Sequence, residues 1–289
     1  QGRLPRGTAL EAEGANYFGP PDAGWVVGFD PTDGTAGDAR FAGVGYLAQG
    51  LPVSSVLAVR NVRMLPVFGS VRYAGILDLR SGQMFWASYD GAFTMNASGT
   101  EWKLERTAQY NMHAPAVSCE IARRANAFLR FLVPYGVYPE QFADSHSSAT
   151  VMLWSLLGYC DLWWNSELPG IMGAGQRGHE LGALSVFARA LGAYAVRTAI
   201  ADGQVVIAGP LDEAPYTFDE QTSVILGVDE RIVRHYLGLV NDGLAKTVKI
   251  WNVGDSITIP ISSLIAQLYK EYPDERWSLP LVPDPAPSA

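Results

Sequence analysis

The stretch "GFDPTDGTAG", residues 28 to 37, follows the apolar triplet Trp25-Val26-Val27. It sets two carboxylates, Asp30 and Asp33, three positions apart, with the peptide carbonyl of Thr32 between them. Oxygen donors of this kind at the end of a strand suit a hard cation such as Mg²⁺. Gly34 permits a tight turn that can aim backbone N–H groups at an anion, and the Thr35 hydroxyl can hold a water. The same residues also make an ordinary solvated Asp/Pro/Gly turn. The six residues alone leave both readings open.

The elements that must position these groups can be read from pattern. Trp25 to Phe29 reads as a short buried strand after a Gly/Pro-rich loop over 15–24. Residues 41–89 alternate apolar and polar stretches, with turn signals at Ser81-Gly82 and Asp90-Gly91, which predicts antiparallel sheet. Helical spacing marks 118–136, 147–157, 178–191, 229–244 and 261–273, and a strand is expected after Gly158. In the third of these helices Leu181, Leu184, Phe187, Ala188 and Leu191 share a face, and Gly192 ends it. Strands early and helix–strand alternation later predict layered sheets and helices in two lobes, an α+β and α/β sandwich.

Composition narrows the function. A formal charge of −8 argues against nucleic acid as a partner. An acidic protein that handles phosphates needs bound cations to neutralise them. The nearly apolar run Val151 to Trp164 is interrupted by Ser155, Gly158 and Asp161 and is too short to span a bilayer, so no membrane role is expected. Cys119 and Cys160 have no metal-ligand spacing and are too few for a disulfide scaffold, which points to a reducing, cytoplasmic setting. His113, His146, His179 and His235 are scattered; His146 and His179 fall near the expected cleft, where a structural role is favoured over a ligand's.

The wider context of the aspartates resembles the inositol monophosphatase superfamily. Its D-P-(I/L)-D-G-T motif follows a strand, as in "WVVGFDPTDGTAG". "VRYAGILDLRSGQMFWASYDGAFTMN" is similar to its hairpin, with the Gly-Ala-Phe segment at Gly91-Ala92-Phe93. "SSATVMLWSLLGYCDLWW" resembles the helix and strand of its second lobe. "GHELGALSVFARALGAYAV" resembles its second signature, with Glu180 where the family has Asp. The resemblance implies a sugar-phosphatase fold of two lobes, a homodimer, and a small phosphate ester as substrate. It implies Mg²⁺ ions held by Asp30, the Thr32 carbonyl, Asp33, Glu180 and one of Glu11 or Glu13, with a water positioned by Thr35 and Asp33 for attack on phosphorus. Phosphate would rest on the amides of Gly34 and Thr35, and Ser147, Ser148 and Asn165 would lie at the substrate.

The departures from the family matter as much. Ala12 splits Glu11 from Glu13, so register does not decide between them. Ser262 stands where a further Asp is usual, and Asn165 where a substrate-contacting Glu is common. The family's N-terminal segment has its counterpart near the C-terminus: Lys249, then Asp255-Ser256-Ile257-Thr258, a helix, and Tyr272-Pro273-Asp274. This order implies a circular permutation, with 1–117 and 245–289 forming the first lobe and 118–244 the second. An unrelated C-terminal extension is the alternative. The functional expectation is a Mg²⁺-dependent phosphatase; the alternative is a degenerate member that binds a sugar phosphate or a protein partner without hydrolysis.

Overall fold

The aspartate-bearing segment lies on the second strand of a seven-stranded sheet. The computed structural model describes residues 7–12, 17–33, 54–79, 81–106, 117–119, 139–140, 148–158, 160–165, 176–218, 220–252, 255–260 and 263. The first sheet runs β1 (Thr8–Ala12), β2 (Trp25–Asp33), β3 (Ser54–Asn61), β4 (Val71–Asp78), β5 (Met84–Ser88), β6 (Gly91–Met95) and β7 (Glu101–Lys103) in spatial order. β1 and β2 are parallel, and every later neighbour is antiparallel, as the turn signals predict.

Register explains why a helix can lie close on this sheet. Gly28, Ala58, Ala74, Ala87 and Ala92 pair in one row across five strands, and all are buried. Small side chains in such a row leave a shallow trough. The next row on that face begins at Asp30 and continues through Val56, Ile76, Phe85 and Thr94. Helix α2 (Gly178–Leu191) fills that trough, packing on β3 and β4, and each of its residues from Gly178 to Ala188 is buried. A Cβ on Gly182 would lie 2.8 Å from the Tyr216 ring and 3.3 Å from Ala58 Cβ, so glycine permits the close approach.

Helix α1 (Ser148–Leu157) packs beside α2 and leads into the second sheet. That sheet is ordered β13 (Gln204–Pro210), β12 (Tyr194–Ala201), β15 (Val224–Gly227), β10 (Leu162–Asn165), β8 (Val117–Cys119) and β9 (Pro139–Glu140). Strand β10 is apolar on both faces because both are covered. Trp163 joins the core of α1 and α2, while Trp164 meets the Tyr236 ring edge-on at 5.2 Å. Tyr236 belongs to α3 (Glu230–Ala245), on the far side of the sheet. The layers are thus sheet, paired helices, sheet, helix, with one continuous apolar core running between the two sheets. Two short ladders complete the described strands: β11 (Gln176–Arg177) with β14 (Gln221–Thr222), and β16 (Thr247–Asn252) with β17 (Asp255–Pro260).

Two expectations change. Ser118 and Cys119, read from sequence as the start of a helix, belong to β8, whose backbone pairs with Trp163 and Trp164 of β10. A parallel partner overrides local helical spacing; the rest of that helix, 120–136, lies outside the described residues. Strand β2 does not stop at Phe29 but runs through Asp33, with a bulge between Asp30 and Asp33. The proline has no N–H for a ladder and is accommodated at the bulge, where the Ser55 hydroxyl donates to its carbonyl at 2.7 Å. The helix expected over 261–273 lies outside the described residues, apart from Ser263. Among the described residues, no helix is long and apolar enough to cross a membrane.

Helix α3 carries a cap that can be tested. The Asp229 carboxylate accepts the Arg231 amide at 2.7 Å, and the Arg231 side chain donates to it at 3.2 Å. These bonds, the side-chain one foremost, hold the Asp229 carboxyl below its usual value. A depressed acid stabilises the fold above its unfolded pKa and loses that contribution as pH falls through the folded value. Asp229→Ala should therefore lower stability by about 1 kcal/mol at neutral pH, and by less at pH values acidic enough to protonate Asp229 in the parent, as read by urea melts at both pH values.

Candidate metal centre

The strand and helix described above bring three titratable side chains together. Asp30, His179 and Glu180 each offer one ligand atom, and these atoms lie within 4.8 Å of one another. All three residues are buried, at 2%, 1% and 6% exposure. Asp30 reaches the site from the row beside the small-residue trough, and His179 and Glu180 from the first turn of α2. About 150 residues of chain separate the acids.

The segment 216–218 aims the helix. A Cβ on Gly178 would fall inside the Thr217 carbonyl, so only glycine lets α2 begin against that backbone. The His179 amide donates to the Phe218 carbonyl at 3.2 Å, and the His179 and Phe218 rings sit 4.8 Å apart. Tyr216 and Phe218 also close over Gly28, where a Cβ would lie 3.1 Å from the Tyr216 hydroxyl and 3.2 Å from Phe218. Gly178→Ala should displace the helix start and with it both ligand candidates. The expected result is a loss of divalent-cation affinity of at least tenfold, together with a lower melting temperature, checked by calorimetric titration and thermal melts. The sense follows from a backbone clash that no side-chain rotation relieves.

Electrostatics favour a cation here. Two buried carboxylates this close repel one another, and burial raises the cost of keeping both ionised. The positive end of the α2 dipole eases that cost for Glu180, which lies in the first turn. The imidazole Nε2 of His179 lies 3.6 Å from Asp30 Oδ2 and has no hydrogen-bond partner among the described residues. A divalent ion would satisfy two carboxylates and a nitrogen together, so the donor set fits a metal ion.

Of the other residues expected at the site, Glu11 is half-buried on β1, opposite Gly28, on the face that carries Asp30. It does not join the cluster of three. Asn165 is buried on β10 and its amide donates to Gln176 at 2.9 Å. Thr32 and Asp33 belong to the bulged end of β2, and Ser148 opens α1. The side chains of those three, and all of Glu13, Gly34, Thr35 and Ser147, lie outside the described residues, as do His113 and His146. Reading from sequence put His179 near the cleft but favoured a structural role over a ligand's; the structure sets its imidazole in the cluster with the two acids. The signal that could have found it is its place beside Glu180, since two ligand-type residues open a helix whose next face is apolar.

No protein-family model matches this chain, and no curated protein matches it. Solved structures do. Extragenic suppressor protein SuhB from Bartonella henselae is 15% identical, with a TM-score of 0.56 over 82% of this chain and 77% of that one. A hypothetical protein from Pyrococcus horikoshii with similarities to inositol-1 monophosphatase is 15% identical, with a TM-score of 0.54 over 80% and 76%. An IMPase/NADP phosphatase complexed with Mg²⁺ and phosphate is 15% identical, with a TM-score of 0.53 over 80% and 72%. The chain has the inositol monophosphatase fold.

Proposed function

We propose that this chain is a divalent-cation-dependent phosphatase acting on a small phosphate monoester, a sugar phosphate or an inositol-like phosphate. The observation that carries the reading is the burial of Asp30, Glu180 and His179 within 4.8 Å of one another, on a fold whose solved examples include one holding Mg²⁺ and phosphate. Asp30 and Glu180 hold the ion, and the Thr32 carbonyl, Asp33 and one of Glu11 or Glu13 extend the donor set. When bound, the ion neutralises phosphate oxygens and acidifies a coordinated water.

The chain's own residues supply the rest. Thr35, beside Asp33, orients the attacking water, and the amides of Gly34 and Thr35 cradle phosphate oxygens. Ser147, Ser148 and Asn165 line the substrate side. Burial of Asp30, His179 and Glu180 keeps bulk water from the cluster and strengthens each charge interaction there. In the proposed permuted order, 1–117 and 245–289 form one lobe and 118–244 the other.

A screen of the purified protein against inositol, sugar and nucleotide 3′-phosphates, with Mg²⁺ or Mn²⁺ and with a chelator, tests the proposal. Phosphate release that depends on the cation is expected from at least one class. Full cation binding with no release from any class would favour the degenerate binder and overturn the phosphatase.

A further inference from the structure

The imidazole beside the two acids carries an inference that rests on this site being a metal site. The Phe218 carbonyl lies 3.2 Å from His179 Nδ1. A carbonyl can only accept, so Nδ1 bears the proton in that bond, and a neutral ring then presents a lone pair at Nε2. Metal-bound histidines are oriented in this way, the second ring nitrogen donating to a backbone carbonyl. Nε2 is buried and without a hydrogen-bond partner among the described residues, and it faces Asp30 Oδ2 across 3.6 Å. That gap exceeds the usual range of an N–H···O hydrogen bond, about 2.7–3.2 Å.

Facing the Asp30 carboxylate, Nε2 calls for a cation between them, either its own proton or a metal ion shared with Asp30 and Glu180; the gap is too long for a hydrogen bond and suits the shared ion. Imidazole is a favourable ligand for zinc and a poor one for Mg²⁺. We infer that His179 Nε2 is a direct ligand of the ion held by Asp30 and Glu180, and that this centre selects a nitrogen-accepting transition ion, zinc foremost, over Mg²⁺.

Pulsed electron paramagnetic resonance on the full-length wild-type protein loaded with Mn²⁺ tests the ligation without any variant. The expected result is a ¹⁴N coupling from a directly bound imidazole. Calorimetry of the metal-free protein supplies the second arm. Zn²⁺ should bind at least about 100-fold more tightly to the wild type than to His179→Gln, because losing a direct ligand costs no less than the 10- to 100-fold lost with an outer partner, while Mg²⁺ affinity changes little. Mn²⁺ bound without ¹⁴N coupling overturns the inference. If that protein still hydrolyses phosphate esters, the proposed function stands. Coupling without hydrolysis sinks the phosphatase reading and leaves the ligand assignment intact. Failure to bind Mn²⁺ at all overturns both.

Discussion

Asp30→Asn should abolish divalent-cation binding and leave the metal-free protein at least as stable as the parent. Both halves follow from one geometry. Asp30 is buried and shares a space of 4.8 Å with Glu180 and His179. Replacing its carboxylate by an isosteric amide removes a ligand charge and also relieves repulsion with Glu180. In the parent, a cation at a hundredfold excess over its Kd adds about 2.7 kcal/mol. At roughly 2–4 °C per kcal/mol for a protein of this class, that is a rise in melting temperature of several degrees. The variant should show no such rise, with affinity reduced at least 100-fold by calorimetry and cation-dependent hydrolysis lost. A variant that keeps the parental affinity would remove Asp30 from the site.

The second large effect concerns the far end of the chain. Deleting residues 245–289 should unfold the first lobe rather than shorten a tail. The face of the seven-stranded sheet turned away from α2 carries a row of Phe29, Leu57, Gly75, Trp86 and Phe93, all half-buried, with Tyr73 and Leu77 more exposed beside it. A sheet face this apolar calls for a covering layer. Under the proposed permutation the helix over 261–273 supplies it through Ile261, Leu264, Ile265 and Leu268. Burying each is worth roughly 1.5–3 kcal/mol. Four such side chains amount to a large part of the 5–15 kcal/mol that holds a typical domain together. The expected result is loss of the cooperative thermal transition and of cation binding. A truncated protein with the parental melting temperature and affinity would make the segment an appendage.

How far the sequence led depends on whether a residue's partners are local. Strand β2, the hairpins near Gly82 and Gly91, and helix α2 with its end at Gly192 are written in short-range pattern, and each stands where the pattern puts it. Asp30 and Glu180 were legible as a pair through the resemblance of their two motifs, although no local rule joins them. His179 was legible only as a histidine near the cleft, because its surroundings come from Asp30 and from Phe218, far along the chain in both directions. The start of β8 was misread for a related reason. Its residues have helical spacing, but a parallel strand more than forty residues later decides their conformation. The bulge at Asp30 to Asp33 depends on pairing with Ser54 and Val56, which a turn motif read alone does not show.

The metal site is tested most directly by an anomalous difference map from crystals soaked in Mn²⁺. A peak bonded to Asp30, Glu180 and His179 Nε2 is expected at about 2.1 Å, within the range of first-row metal–ligand bonds. A map with no peak among these three side chains, at cation concentrations that saturate the protein in solution, would contradict it.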